Sequence, residues 1–203
     1  FGINYGIVTN PEEIEKATLF EQKIWDELGY GNLEEEGYMD YFSQSQVIAA
    51  FEDGECIGMT RMFKDTDFPP PFIKSMPFYS EEERAKLVAM YQNREIEELG
   101  TAAVEKKYRH KDVNTHLWRI AYRDARKRGV QNWGIVMEPD RVERMNENYG
   151  FTFRQLGDVQ DYQGGDCAAF IMNLDEVDKS MHDKKFIQHY WFTKLKLRAD
   201  RKS

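Results

Sequence analysis

The sequence predicts a mixed α/β domain, and three observations carry that expectation. Short apolar or alternating runs are interleaved with longer stretches whose apolar residues recur at helical spacing. Glycines at 29, 129 and 150 fall where the helical stretches end. A content of 41% apolar residues, 14% of the chain being aromatic, gives 203 residues enough material for one core.

Ile3–Asn10 reads as a strand. Pro11 opens a helix whose apolar stripe includes Ile14, Ala17, Phe20, Ile24 and Trp25, and Gly29 stops it. An acidic, tyrosine-bearing segment runs to Tyr41. Residues 47–63 form a hairpin turned at Asp53–Gly54. The prolines at 69–71 break structure, and Ser80 with Glu83 forms a capping box for a helix through Gln92. Glu95–Val104 is a strand, and Val113, Leu117, Ile120, Ala121 and Ala125 mark an amphipathic helix. Asn132–Met137 reads as a buried strand, and Pro139 opens a helix that ends at Gly150. Phe151–Gly157 and Asp166–Leu174 are two further strands, with Gly164–Gly165 between them. Phe186, Ile187, Tyr190 and Trp191 form one face of a last helix. The expected organisation is one domain over 1–178 with an inserted segment at 64–94, then a C-terminal helix and basic tail at 179–203.

Several function classes drop out. No run of 18 apolar residues spans a membrane. No segment reads as a signal peptide, and the expected location is the cytoplasm. Cys56 and Cys167 read as free thiols, and the four histidines form no ligand pattern, so no metal site is expected. The net charge is −8, yet Lys184–Ser203 and Glu105–Arg128 each carry +6. An acidic chain with two basic patches is not a general nucleic-acid binder; it suits discrete anionic partners. The tail pairs aromatic residues with lysines, so it either contacts the inner face of an anionic membrane or packs on its own domain.

The segment with the most chemistry is Glu95–Leu117, where a strand hands over to a helix through the charged loop KKYRHKD. A helix N-terminus presents unpaired N–H groups and partial positive charge. Arg109 and Lys111 add full charges there, and Asp112 or Asn114 can cap the helix. A phosphodiester or pyrophosphate fits such a loop; so does plain solvation of basic side chains.

AAVEKKYRHKDVNTHL resembles the acyl-donor loop of the GNAT acyltransferase superfamily, an apolar strand followed by Q/R-x-x-G-x-G/A at a helix start. Arg109 takes the Q/R position, while Asp112 and Asn114 stand where glycines are usual. NYGF (Asn148–Phe151) resembles the superfamily's later helix–strand junction. The resemblance implies a central, mostly antiparallel sheet with a splayed parallel strand pair, flanked by helices. It places the donor's phosphate on Arg109, His110, Lys111, Asp112, Val113, Asn114 and Thr115. It places the pantetheine arm and the oxyanion contacts at Ala102, Ala103 and Val104, and the second cleft strand at Trp133–Met137.

The insertion narrows the resemblance to acyl-homoserine-lactone synthases and long-chain N-acyl amino acid synthases. IGMTR is similar to their G-x-x-R hairpin, with Arg61 at the Arg. ELG (Glu98–Gly100) is similar to their E-L-S strand, with Glu98 at the catalytic Glu. FEQKIWDELGY and MEPDRVERM resemble two of their helices. Asn146 occupies the place where most other members carry an acidic Tyr. Thr101 stands where lactone synthases have Arg, and Phe20, Ile24 and Tyr30 replace their first-helix Arg, Phe and following Trp. An N-acyl amino acid synthase is therefore the nearer resemblance.

That resemblance implies transfer of a medium or long acyl group from the phosphopantetheine of acyl carrier protein to an amino acid's α-amine. The alternatives are an acyl-CoA-dependent acetyltransferase, a lactone synthase, or a degenerate domain that binds without turnover. Glu98 would be the base, or a structural partner of Arg61. Arg61 would hold the acceptor's carboxylate, or form a structural ion pair. Trp25, Trp133 and Met137 would line the substrate site. Arg119, Arg123, Arg126, Lys127 and Arg128 would dock the acidic carrier protein, or be a solvated helix face.

Overall fold

A computed structural model describes residues 2–30, 39–64 and 69–184. The elements in order are β1 (Asn4–Val8), α1 (Pro11–Leu28), α2 (Met39–Phe42), β2 (Ser45–Glu52), β3 (Glu55–Phe63), α3 (Pro71–Lys74), α4 (Glu81–Gln92) and β4 (Ile96–Val104). They continue with α5 (Val113–Arg128), β5 (Asn132–Met137), α6 (Pro139–Tyr149), β6 (Arg154–Gln155), β7 (Gln160–Tyr162), β8 (Gly165–Asn173) and α7 (Leu174–Lys184). The strands form one sheet in the order β1-β2-β3-β4-β5-β8-β6, with β7 paired to β8. Among the registers described, β4–β5 is parallel and the rest are antiparallel. The chain divides into two compact units that exchange at β4, after Glu98, and within α5, after Asp124.

The first unit holds β1–β3, α1 and the 99–124 segment. Its core packs Ala17, Phe20 and Ile24 of α1 on Val47, Ala49, Met59 and Ala103. Helix α1 starts where the Asn10 side chain accepts from the Glu12 N–H, and it stops at Gly29, whose φ of 73° is left-handed. The β2–β3 turn places both Asp53 and Gly54 at positive φ, 52° and 85°, as a two-residue turn matching strand twist requires.

The second unit holds the insertion, the start of β4 through Glu98, and the 125–184 segment, among the described residues. Phe72, Ile73, Met76, Leu87 and Tyr91 of the insertion are buried against Ile96, Leu156, Ala169 and Ile171. The insertion thus supplies about half of this core, and it carries structure that no loop would. The Ser80 hydroxyl caps α4 by accepting from Glu83 N–H at 3.3 Å.

Two expectations change, and one strand is new. The triple proline does not simply break structure: Pro70 precedes and Pro71 begins α3, since proline fits the first helical position. Phe151–Gly157 is a strand only at Arg154–Gln155 rather than along its length; Leu156 N–H still donates to Ala169 O of β8, but its carbonyl turns to the insertion and accepts from Tyr79 N–H. The sequence also hid β7, which pairs with β8 across a turn at Gln163–Gly164. Helix α7 runs across position 178, and the expected helix face at 186–191 lies outside the described residues.

At Gly157 the β6 segment lies against the backbone of the insertion. A Cβ there would lie 1.9 Å from the Pro77 carbonyl oxygen, a backbone atom. Gly157→Ala should therefore destabilise the protein by about 1–3 kcal/mol, read as a lower urea midpoint; an unchanged midpoint would contradict this packing.

Candidate active site

In the second unit, Glu98 sits at the end of the β4–β5 ladder. That ladder comprises the pairs Ile96↔Asn132, Glu97↔Trp133 and Glu98↔Gly134. Strand alternation sends Glu97 and Glu98 to opposite faces, and their partners differ accordingly. Glu97 takes the Arg128 guanidinium, with Nη2 at 2.9 Å from Oε2. Glu98 is 1% exposed, and its Oε2 accepts from the Phe72 N–H at 2.9 Å. Burial pushes its carboxyl up to about 8, against the lowering effect of the Phe72 amide. A carboxyl poised near neutrality in an apolar setting is equipped to take up and release a proton.

Gly134, the register partner of Glu98, has no room for a side chain. A Cβ there would lie 2.4–2.6 Å from the Phe72 ring, so the bare backbone is what seats that ring. One residue of the insertion therefore touches both partners of the last ladder pair.

Arg61 belongs to the first unit and is fully buried. Its Nε and Nη2 donate to Glu21 Oε2 at 3.0 and 2.6 Å, Nη1 donates to Ser45 Oγ at 2.7 Å, and Nη2 also reaches Thr18 Oγ1 at 3.3 Å. The guanidinium carbon lies 3.8 Å from the centre of the Phe42 ring. Of the two structural readings, an ion pair is what forms, with Glu21 as the partner rather than Glu98. An acceptor carboxylate would have to displace Glu21 from this fork.

The anticipated donor loop lies wholly in the first unit. A short 3-10 turn at Lys106–Tyr108 follows β4. Tyr108 is buried and donates its hydroxyl to Glu52. The Lys107 and Lys111 ammonium groups lie 4.9 and 4.8 Å from the centre of its ring. Arg109 Nε donates to Val104 O at 3.1 Å, tying the loop back to the strand end. Lys106, Lys107, Arg109, His110, Lys111 and Asp112 are exposed, and Val113 and Thr115 are buried. Gly58 lies beneath the start of α5: a Cβ there would come within 2.7 Å of Val113 Cγ1. That is a physical reason for glycine in I-G-M-T-R. Gly100 in E-L-G is explained the same way by the Phe63 ring, 2.6 Å from a built Cβ.

Asp112 has φ 54°, a left-handed conformation. The resemblance puts a glycine at this position, and the backbone shape that favours one is present. The Asn114 Oδ1 is buried with no hydrogen-bond partner. Ala102 is exposed on β4, Ala103 is buried, and Val104 is half-buried.

The expected docking residues separate. Arg119, expected on the surface, is 1% exposed and thus unavailable for docking as the structure stands. Arg126 pairs with Asp175 and Asp178 at 2.5 and 3.3 Å, and Arg128 pairs with Glu97. Arg123 is half-buried, and Lys127 is exposed. Trp25 is buried, its ring edge-on to Tyr30 at 6.0 Å, and Trp133 is fully buried; Met137 is half-buried. Asn146 makes two 3.0 Å hydrogen bonds with the Phe153 backbone, so it fastens α6 to the following chain.

Three residues escaped the sequence reading: Glu21, Phe72 and Gly134. Glu21 had a signal, an acid lying within the apolar stripe of α1 beside Phe20 and Ile24. Phe72 had one too, as the first residue after three prolines with an N–H to give.

A family model described as N-acyl amino acid synthase FeeM matches residues 29–175. Among solved structures, FeeM from uncultured soil microbes superposes with a TM-score of 0.70 at 13% identity, over 91% of this chain and 98% of that one. The acyl-homoserine-lactone synthase LasI gives 0.67 at 16% identity, over 97% and 99%. BjaI, a CoA-dependent acyl-homoserine-lactone synthase solved with S-adenosylmethionine and isopentyl-CoA, gives 0.61 at 17%, over 90% and 89%. Structures of GNAT-family acetyltransferases share the fold as well. No curated protein sequence matches the chain.

The raised Glu98 carboxyl has a thermodynamic consequence. The unfolded chain releases this proton near 4.5, whereas the folded chain holds it to about 8. Between those values the native state binds more protons, so this group's contribution to stability falls as pH rises. Glu98→Gln should remove that loss, gaining stability relative to wild type at pH 8 over pH 5. Urea melts of both proteins at the two pH values check it; parallel shifts would mean that Glu98 ionises normally.

Proposed function

The chain belongs to the N-acyl amino acid synthase FeeM family, and from that membership we propose that it transfers a medium or long fatty acyl group from acyl carrier protein to the α-amine of an amino acid. It is an acyltransferase with the GNAT fold. The observation that carries the finer reading is Glu98, a buried carboxylate at the end of the parallel ladder whose carboxyl is raised to about 8.

The substrate amine arrives as an ammonium and must lose a proton before it attacks. Ionised Glu98 takes that proton, directly or through a water. The amine nitrogen then adds to the thioester carbonyl, and backbone amides stabilise the oxyanion. The carbon–sulfur bond breaks as the amide forms. The departing thiolate takes the second proton from the nitrogen, and Glu98 returns its proton to solvent. A carboxyl that titrates near 8 both accepts a proton from an ammonium and gives it back, which a carboxyl of ordinary acidity does less well.

The donor reading rests on the loop. Exposed Arg109 and Lys111 flank the start of α5, where an anion is favoured. Asp112 keeps the left-handed backbone but adds a carboxylate beside the anion. That addition is easier to reconcile with the one phosphodiester of a carrier-protein arm than with the pyrophosphate of coenzyme A. With Arg119 buried and Arg126 and Arg128 paired, docking of the acidic carrier protein falls to exposed Lys106, Lys107 and Lys111, helped by Lys127. Phe20 and Ile24, where lactone synthases carry Arg and Phe, are buried in the first unit's apolar core, which favours an amino acid acceptor over S-adenosylmethionine.

Incubation with acyl carrier protein charged with chains of several lengths, against the matching acyl-CoA, across pooled amino acids, tests the reading by product mass. Acyl amino acids from the carrier-protein arm support it; products from acyl-CoA alone transfer the donor role to coenzyme A. Glu98→Gln should lower kcat by about 10²–10⁴-fold with the fold intact, and wild-type kcat/KM should rise with pH through a limb near 8. Reversing Lys106 and Lys107 to Glu should raise KM for the charged carrier protein several-fold, more so at low salt; an unchanged KM would return those lysines to the solvated surface.

A further inference from the structure

The three consecutive prolines at 69–71 sit immediately before the residue that touches Glu98. Proline has no N–H, so this stretch offers no backbone donor until Phe72. Within α3 the next amides are already committed. Ile73 and Lys74 donate to Pro70 O at 3.0 and 3.1 Å, and Ser75 donates to Pro71 O at 2.8 Å. The Phe72 amide is the donor of this turn that reaches outside it, and it ends on Glu98 Oε2. The Phe72 ring, fully buried, rests on Gly134, the register partner of that same glutamate.

We propose that Phe72 is a positioning residue for the transfer reaction, its amide fixing one oxygen of Glu98 so that the other faces the amine, and that Gly134 is the seat which holds Phe72 in place. This rests on Glu98 acting as the base. It assigns a catalytic purpose to the insertion: the proline run and α3 form a bracket that aims the carboxylate. A buried carboxylate without the bracket would be free to turn about its side-chain torsions. The amide also favours the ionised form, opposing the burial that disfavours it. A small side chain at position 134 would push the ring, and with it the amide, off its mark while leaving Glu98 itself in place.

Two experiments test this. In protein labelled with ¹⁵N-phenylalanine, the Phe72 amide signal, identified by its loss in Phe72→Leu, should shift in one step with a midpoint near 8, and Glu98→Gln should abolish the step. A Phe72 amide that does not titrate in the wild type overturns the proposal. In turnover, Gly134→Ala should move the rising limb of kcat/KM up by about one pH unit and lower kcat by about tenfold at neutral pH, with KM for the acyl donor unchanged. A folded Gly134→Ala with the wild-type pH profile overturns the proposal; should that variant not fold, the amide titration decides. Wild-type turnover in Glu98→Gln would instead remove Glu98 as base, a separate failure visible whatever the amide does.

Discussion

A carboxylate moved from water into an apolar interior loses solvation that only hydrogen bonds or charges can replace. Glu98 meets this constraint with a single described amide and no described counter-charge, and its carboxyl consequently holds its proton into the neutral range. The contrast with its neighbour is instructive. Glu97 is also buried, yet it carries an arginine partner, and that ion pair serves the packing of β4 on α5. Two adjacent acids on one strand thus have different work because alternation gives them different surroundings. Three features of the second unit gather around Glu98: the bare backbone at Gly134, the ring of Phe72 upon it, and a proline-led turn.

The first unit carries positive charge at the start of α5. Gly58 lets Val113 come close to the sheet, which fixes where α5 begins. Tyr108, anchored to Glu52, lies beneath the ammonium groups of Lys107 and Lys111. Arg109 is tied to Val104 O. The charges are therefore carried on an anchored loop rather than scattered. Arg61 is the counterexample among the basic residues: enclosed with Glu21, Ser45 and Thr18, it holds α1 to β3 from within. Removing one partner of such a buried pair costs about 3–5 kcal/mol, so Arg61 is a structural tie of the first unit.

The strand and helix order was legible because periodicity and glycine or proline punctuation agree along most of the chain. Asn10, Gly29, Ser80, Asp53–Gly54 and Gly150 each act as their residue types suggest. Misreadings came where tertiary contacts decide. Residues 151–157 look extended and apolar, but Gly157 must meet the Pro77 backbone, so only two of them pair as a strand. The motif singles out Glu98 but not its environment, because Phe72 lies 26 positions away in sequence. The role of Arg61 was undetermined from its motif, since G-x-x-R does not say which acid will face it. The basic face of α5 was overread for the same reason: charge counts do not reveal that Arg119 is buried or that Arg126 and Arg128 are already paired.

The central claim is that Glu98 rests as a neutral carboxylic acid at neutral pH and ionises only slightly above it. Infrared difference spectroscopy reads this directly, because a protonated carboxyl has a carbonyl stretch that the carboxylate lacks. Comparing wild type with Glu98→Gln across a pH series should show one such band, present at pH 6 and lost with a midpoint near 8. A Glu98 carboxyl already ionised at pH 6 would contradict the account.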